Sequence, residues 1–223
     1  MIDLVIPKYR EAIFDTDKKK ALEIIHEALA GGVQAEDIVF KIVVPVVESM
    51  MKSVSEEKKY NLAQHFIAAQ IAAEVTDEMI PKFKQSPKII GRIVIGTSVG
   101  DLHGLGKRIV IGCLKAMMID AIDLGLNVPA ERFVEEAVNH KAHVIGISSM
   151  MVHTARGEKA SLGVRKLLRE MNLEKKIKIA VGGAPYRFDH NLYNIVQADA
   201  WAEDGITAGK VIANLIEEVK NAA

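Results

Sequence analysis

A histidine follows an aspartate by two positions in the glycine-rich segment Asp101-Leu102-His103-Gly104-Leu105-Gly106. A metal-ligating histidine usually donates its second ring nitrogen to a carboxylate, because that bond fixes the tautomer and makes the nitrogen facing the metal more basic. The spacing therefore predicts that His103 binds a metal and that Asp101 orients it. Taken alone, the spacing also fits an ordinary histidine on a surface loop.

Two further segments that could contact a ligand lie downstream, Ser148-Ser149-Met150 and Gly182-Gly183. Like the first, each follows a short apolar run that is typical of a buried strand. Ligands of open parallel sheets bind beyond the carboxyl ends of the strands. We therefore expect the three segments to meet at one edge of a sheet.

The first eighty or so residues have only helical periodicity, with apolar residues three or four positions apart. This pattern predicts four helices, at about 6–15, 17–30, 35–53 and 61–79. Pro45 lies inside the third helix and should kink it or mark its true start. The polar segment 82–88 should separate a helical bundle cap domain at 1–88 from a second domain at 89–223.

The second region alternates short β-branched runs with helical segments. Such alternation is typical of an α/β fold in which helices cover both faces of a parallel sheet. We expect a Rossmann-like, flavodoxin-like sheet of five strands. The predicted strands are 90–96, 121–124, 144–148, 177–181 and 198–202, and the predicted helices are 107–118, 130–140, 155–171, 189–195 and 205–219.

The composition excludes several classes of function. Lysine plus arginine equals aspartate plus glutamate, 29 each, so no net charge draws the protein to nucleic acid or to an anionic membrane. The first residues do not resemble a signal peptide, and no apolar run approaches the ~20 residues of a membrane span. We therefore expect a cytoplasmic protein, in which the single cysteine, Cys113, is a buried structural thiol.

A nucleotide site is a poor explanation of the glycines. Ile109 stands where the dinucleotide-binding fingerprint has glycine or alanine, and Arg108 follows Lys107 where a phosphate-binding P-loop has serine or threonine. Glycines also leave room where a bulky ligand approaches the backbone. Gly100, Gly104 and Gly106 thus favour a pocket for a large planar ligand, and Gly182-Gly183 would leave the same room on a neighbouring strand.

Asp101-x-His103-x-x-Gly106, followed by Ser148-x-Met150 and Gly182-Gly183, resembles the cobalamin-binding signature Asp-x-His-x-x-Gly, Ser-x-Leu, Gly-Gly. That signature belongs to methionine synthase and to the corrinoid proteins of methyltransferase systems for methanol, methylamines and aryl methyl ethers. The helical region upstream resembles the cap of the same proteins, so the resemblance covers nearly the whole chain.

The resemblance implies base-off cobalamin with His103 as the lower ligand of cobalt. Asp101 would hold the other nitrogen of His103, and Thr154 would continue this relay. Ser148 would bind the displaced benzimidazole, and Gly182-Gly183 would line its tunnel. The implied cofactor-binding positions are Gly100, Asp101, Leu102, His103, Gly104, Gly106, Ser148, Met150, Val152, Gly182, Gly183, Asp204 and Gly205.

Some positions depart from the resembled pattern or allow a second interpretation. Met150 stands where the signature has leucine, Val152 where a threonine is common, and Met118 where relatives usually have glycine. Asp204 either touches the cofactor tail or caps the final helix.

The remaining candidate residues are histidines and their neighbours. His140-x-x-His143 has a ligand-like spacing but spans a helix end and a strand start, so the two rings should diverge, which argues against a metal there. His153 could contact the cofactor or lie free on a loop. The fourth helix begins with Tyr60, Asn61 and His65. The resemblance implies that this helix lies over the upper face of the corrin, but packing within the bundle would explain these residues as well.

The resemblance implies a methyl shuttle without complete activity of its own. The cofactor would cycle between cob(I)alamin and methylcobalamin, taking methyl from a substrate:corrinoid methyltransferase and giving it to a second methyltransferase with tetrahydrofolate or a thiol as acceptor. A reductive activase would maintain it, and the bundle would move as a lid. The alternatives are a cobalamin-dependent sensor or regulator and the small subunit of an adenosylcobalamin mutase.

Overall fold

The computed structural model describes residues 1–47, 49, 62–84 and 89–222. The chain divides into two compact units, Met1–Lys88 with Lys115–Met118, and Ile89–Leu114 with Ile119–Ala223. In the part of the chain so described, no helix combines the length and the hydrophobicity needed to cross a membrane.

The first unit is helical, as predicted. Its helices are α1 (Ile2–Phe14), α2 (Lys18–Ala30), α3 (Ala35–Asp37) and α4 (Leu62–Met79). The Asp17 carboxylate accepts the Lys20 N–H and so caps α2.

The predicted third helix differs from an ordinary α-helix. A π-helix, Ile38–Val43, directly follows α3, and helical structure continues through residues 44–47. This wide segment lies just before Pro45, where we expected a kink or the true start of the helix, and the helical structure begins earlier, at Ala35.

The second unit is the predicted five-stranded parallel sheet. Its strand order is β2-β1-β3-β4-β5, and every neighbouring pair is parallel. The central strands are nearly continuous runs of buried β-branched residues, because helices cover both faces of the sheet. The strands are β1 (Gly91–Ser98), β2 (Ile119–Val128), β3 (Val144–Ser148), β4 (Lys178–Gly182) and β5 (Ala200–Ala202).

Seven helices connect or flank these strands within the described residues. They are α5 (Leu105–Ala116), α6 (Ala130–Asn139), α7 (Val152–Arg156), α8 (Ser161–Glu170), α9 (Ala184–Phe188), α10 (Leu192–Ile195) and α11 (Gly205–Asn221). The prediction of one helix at 155–171 was wrong, because the chain is extended at Gly157 and separates α7 from α8. The predicted helix at 189–195 begins too early, because only α10, which starts at Leu192, lies in that range.

The strand order changes direction at β1, which lies between β2 and β3. In a 2-1-3-4-5 sheet this switch point is where the loops after β1 and β3 separate and leave a crevice for a ligand. Asp101 follows β1, and Ser149 and Met150 follow β3. The fold thus brings two of the three predicted segments to the crevice.

Candidate functional site

A buried carboxylate holds the predicted metal ligand. Asp101 is fully buried, and its Oδ1 accepts the His103 backbone N–H at 3.0 Å and the ring Nδ1 at 2.9 Å. An ionised carboxylate only accepts, so Nδ1 carries the hydrogen, and in the neutral ring Nε2 then carries the lone pair. The His103 side chain is 55% exposed, and its Nε2 has no hydrogen-bond partner among the described residues. The ring therefore presents an oriented, basic nitrogen at the surface.

The second oxygen of the same carboxylate holds the loop that follows β3. Asp101 Oδ2 accepts the Met150 N–H at 2.6 Å and the Thr154 hydroxyl at 2.8 Å. Thr154 is itself buried in the first turn of α7, and its oxygen also lies 2.8 Å from the Met151 carbonyl oxygen. The Asp101 carboxylate thus accepts four hydrogen bonds, two from His103 in its own loop and two that join this loop to the segment after β3.

Those hydrogen bonds determine the charge of Asp101. Burial by itself raises the pKa of the Asp101 carboxyl, since a charged group is costly away from water. The backbone N–H groups of Met150 and His103 and the side chains of His103 and Thr154 favour the charged form, and together they outweigh burial. The pKa of Asp101 is therefore lower than its usual value, and the group is ionised at neutral pH.

Of the two serines at the end of β3, the one that joins neighbouring strands is not the one that we predicted to bind the cofactor. Ser148, predicted to bind the cofactor tail, is only partly buried. Ser149 is fully buried, its hydroxyl lies 2.9 Å from that of Ser98, and its N–H donates to the Gly182 carbonyl oxygen at 3.0 Å. Neither Ser98 nor Ser149 was predicted to have a role of its own. Their pairing depends on the register between β1 and β3, which cannot be read from the sequence.

The signature glycines serve two purposes. Gly183 has φ +114°, and a Cβ there would overlap the Ser149 carbonyl oxygen, so the fold itself requires this glycine. Gly106 differs, because a Cβ built on it meets no described atom within 4 Å. A Cβ on Gly104 would meet the movable end of Leu126 at 2.9 Å, and Gly100 has φ +80°. Our explanation of the glycines as room for a ligand thus suits Gly106 and is unnecessary for Gly183.

The surface around His103 is apolar where loops are usually polar. Leu102 is 69% exposed, Val152 54% and Met150 51%. Exposed apolar side chains grouped around a half-exposed histidine mark a binding face for a large ligand with apolar surface. Together with the oriented nitrogen of His103 and the room at Gly106, this face fits a corrin ring.

The final loop carries a capping contact. Asp204 Oδ1 accepts the Thr207 N–H at 2.8 Å in the first turn of α11, whose first residue is the buried Gly205. Of the two interpretations of Asp204, the structure shows the helix cap, and contact with a cofactor tail stays a prediction. Burial raises the pKa of the nearby Cys113 thiol to about 12, and the Asp204 charge adds to this.

The remaining candidate residues are histidines and two of their neighbours. His140 Nε2 pairs with Glu136 at 3.2 Å, while His143 Nδ1 accepts the Arg92 N–H at 3.2 Å. Within the described ranges, no group of three or more His, Cys, Asp or Glu side chains could hold a metal ion. His153 is exposed on α7. Tyr60, Asn61 and the side chain of His65 lie outside the described residues.

Comparisons with known proteins point to the same chemistry. Residues 91–209 match the family described as B12 binding domain. The chain is similar to trimethylamine corrinoid protein 1 of Methanosarcina acetivorans, with 32% identity over 83% of this chain and 85% of the relative. It is also similar to monomethylamine corrinoid protein 1 of Methanosarcina barkeri, with 30% identity over 96% of this chain and 98% of the relative.

A solved structure shares the fold. The methanol:cobalamin methyltransferase complex from Methanosarcina barkeri contains a chain that matches with a TM-score of 0.74 and 23% identity. The match covers 96% of this chain and 80% of the other.

Proposed function

Because this chain belongs to the corrinoid proteins that share the B12 binding domain, and so binds a corrinoid cofactor, we propose that it carries a methyl group between two enzymes of a methylamine methyltransferase system. The names of the relatives support the methylamine as methyl donor. When bound, the corrinoid supplies a cobalt atom that takes a methyl group from one molecule and gives it to another. The protein supplies the binding, the orientation and the axial ligand.

The observation that carries this proposal is the oriented nitrogen of His103. We assign His103 Nε2 as the lower ligand of cobalt, with the dimethylbenzimidazole of the cofactor displaced. Asp101 accepts the Nδ1 hydrogen and so keeps the ring in the tautomer that leaves Nε2 free. Thr154 and the Met150 N–H hold the other carboxylate oxygen, which prevents the carboxylate from rotating away from the ring.

The exposed residues of the same face would hold the rest of the cofactor. Leu102, Met150 and Val152 would lie against the corrin ring, and Gly106 would leave room for it. Ser148 would bind the benzimidazole tail, and Gly182 would border its tunnel.

The remaining parts of the proposal concern other proteins. A substrate:corrinoid methyltransferase would deliver the methyl group of a methylamine. A second methyltransferase would pass it to tetrahydrofolate or a thiol, and a reductive activase would restore the cofactor after oxidation. The described residues provide no acid, base or nucleophile set for activating the amine, which favours a carrier that depends on these partners.

Loading the protein with hydroxocobalamin tests the axial assignment. The purified protein should retain the corrinoid, and after one-electron reduction its electron spin resonance signal should show coupling to one nitrogen. His103→Ala should remove that coupling. His140→Ala, which changes a half-exposed histidine that pairs with Glu136 and not with Asp101, should retain it. A protein that retains no corrinoid refutes the proposed function, and unchanged coupling in His103→Ala refutes the assignment of the ligand.

A donor screen tests the methylamine assignment. The loaded and reduced protein should be methylated when trimethylamine, dimethylamine or monomethylamine is added together with the matching purified methyltransferase. Omitting that enzyme should abolish the reaction, since the chain is proposed to have no complete activity alone. Methylation from methanol with its own enzyme and from none of the three amines would contradict the donor class.

A further inference from the structure

The carboxyl end of β2 reaches past the position at which we expected the strand to end. The strand was predicted at 121–124, and it runs to Val128. Its pairing with β1 shifts register twice, between Ile95 and Gly96 and again between Gly96 and Ser98. Each shift adds an unpaired residue to β2, which bends the strand and re-aims its last side chains. The end of β2 consequently lies beside the loop that carries His103.

Asn127, the second-last residue of β2, forms hydrogen bonds with Gly100 and with Asp101, where the loop that carries His103 begins. Its side-chain Oδ1 accepts the Gly100 N–H at 2.8 Å. Its backbone N–H lies 2.8 Å from the Thr97 hydroxyl oxygen and 3.2 Å from the Asp101 carbonyl oxygen. The Thr97 hydroxyl donates in turn to the same Asp101 carbonyl at 2.6 Å. The backbone of Asp101 is therefore fixed from the β2 side while its carboxylate holds His103.

The conformation of Asn127 suits this role. Its φ is +54°, a left-handed value that asparagine tolerates better than most residues do. The side chain is exposed, so its bond to Gly100 is not a by-product of core packing. Gly100 also has a positive φ and, as glycine, gains the most conformational freedom when a contact is removed.

The far end of the loop is anchored to the same stretch of β2. Lys107, in the first turns of α5, is almost fully buried and pairs with Asp123. Asp123 Oδ1 also accepts the Gly125 N–H at 2.8 Å. The loop is thus held at Gly100 and at Lys107 by two points on one strand.

We propose that Asn127 is a positioning residue that sets the Asp101–His103 loop in its ligating conformation before the cofactor binds. The proposal rests on the proposed function, because it takes His103 as the cobalt ligand. Neither the cobalamin-binding signature nor the list of implied binding positions includes Asn127.

The discriminating variant is Asn127→Gly. Glycine keeps the left-handed backbone and the N–H bonds at no steric cost and removes only the acceptor of the Gly100 N–H. Asn127→Asp keeps an oxygen at the same place and should restore the contact. Asn172→Gly is the matched control, because Asn172 is an exposed asparagine with φ +56° that follows α8, away from the loop.

The first measurement needs no cofactor. Amide hydrogen exchange in the apoprotein, followed by NMR, should be about 10-fold faster at Gly100 in Asn127→Gly than in the parent, because the amide loses its acceptor. Asn127→Asp and Asn172→Gly should exchange at the parent rate. Equal Gly100 exchange in the parent and in Asn127→Gly overturns the proposal, whether or not the protein binds a corrinoid.

The second measurement uses hydroxocobalamin. Asn127→Gly is expected to bind it about 10-fold more weakly, at the low end of the effect of losing a group that orients a metal ligand. The nitrogen coupling in the reduced form should weaken, and Asn127→Asp should restore both properties. Parent-like affinity and coupling in Asn127→Gly overturn the proposal. Loss of both in a folded Asn127→Asp variant overturns it as well, and neither result affects the assignment of His103.

Discussion

The hydroxyl of Thr154 should stabilise the apoprotein through the charge of Asp101, and Thr154→Val tests this. The substitution keeps the shape of the buried side chain and removes its hydrogen bond to Oδ2. A hydrogen bond to a charged group is worth about 1.5–3 kcal/mol. The methyl group that replaces the hydroxyl returns about 0.8 kcal/mol through burial. The expected loss is therefore about 1–2 kcal/mol at pH 7.

Urea titration of the apoprotein measures this loss. Trp201 is the only tryptophan, and it lies on β5, so its fluorescence reports unfolding of the α/β unit. Thr154→Ser is the control, because it keeps the hydroxyl and gives up only a methyl group.

The pH dependence separates the two variants. The pKa of Asp101 is lowered in the folded protein, so its ionised form contributes stability that is present above the unfolded value of about 3.9. That stability is lost as the pH falls through the folded pKa. The difference in the free energy of unfolding between the parent and Thr154→Val should therefore shrink below about pH 4. The difference between the parent and Thr154→Ser should not. A Thr154→Val loss under about 0.5 kcal/mol, or one that persists in acid, refutes the reasoning.

Two paired substitutions test other features of the α/β unit. Gly183→Ala should lower the free energy of unfolding by at least about 3 kcal/mol, since the new Cβ overlaps the backbone at a position with positive φ. Gly106→Ala should instead stabilise the apoprotein by about 0.5–1 kcal/mol and weaken corrinoid binding. Urea titrations and corrinoid binding curves of the two variants check this, and similar stabilities would contradict it. Arg165→Met should cost about 3 kcal/mol, because it leaves the partly buried Asp199 without its guanidinium partner 2.7 Å away, while Arg169→Met on the exposed side of α8 should cost under about 1 kcal/mol. Thermal unfolding of both arginine variants measures these losses of stability, and equal losses would contradict the importance of the buried pair.

The sheet was predictable because its signal is local. The runs that form β3 and β4 are apolar, β-branched and bounded by polar residues, and their predicted limits lie within a residue of the observed ones. The break between α7 and α8 was missed because the helical spacing of apolar residues continues across it. Gly157 was the available signal for that break.

The site was predictable only in part. A spacing of two residues along one loop places Asp101 beside His103 in almost any fold, so this contact could be predicted from the sequence. Asn127 and Ser149 could not be identified in this way, because their roles arise from register shifts and strand pairing between segments about 27 and 51 residues from their partners. Met118 is an intermediate case, since its φ of +59° explains why relatives were expected to have glycine there.

The π-helix of the first unit determines which residues share one face. An α-helix turns once every ~3.6 residues, so a repeat of four drifts around its axis by about 40° each time. Buried apolar residues around Pro45 do repeat every four positions, and the wider turn of a π-helix takes up that drift and lets them form one straight stripe. A π-helix bonds residue i to residue i+5, whereas an α-helix bonds i to i+4. Removing one residue from this segment would therefore let it close as an ordinary α-helix, in which a repeat of four again drifts around the axis by about 40° each time. The members of the stripe are Ile38, Val39, Ile42, Val43, Val46 and Val47.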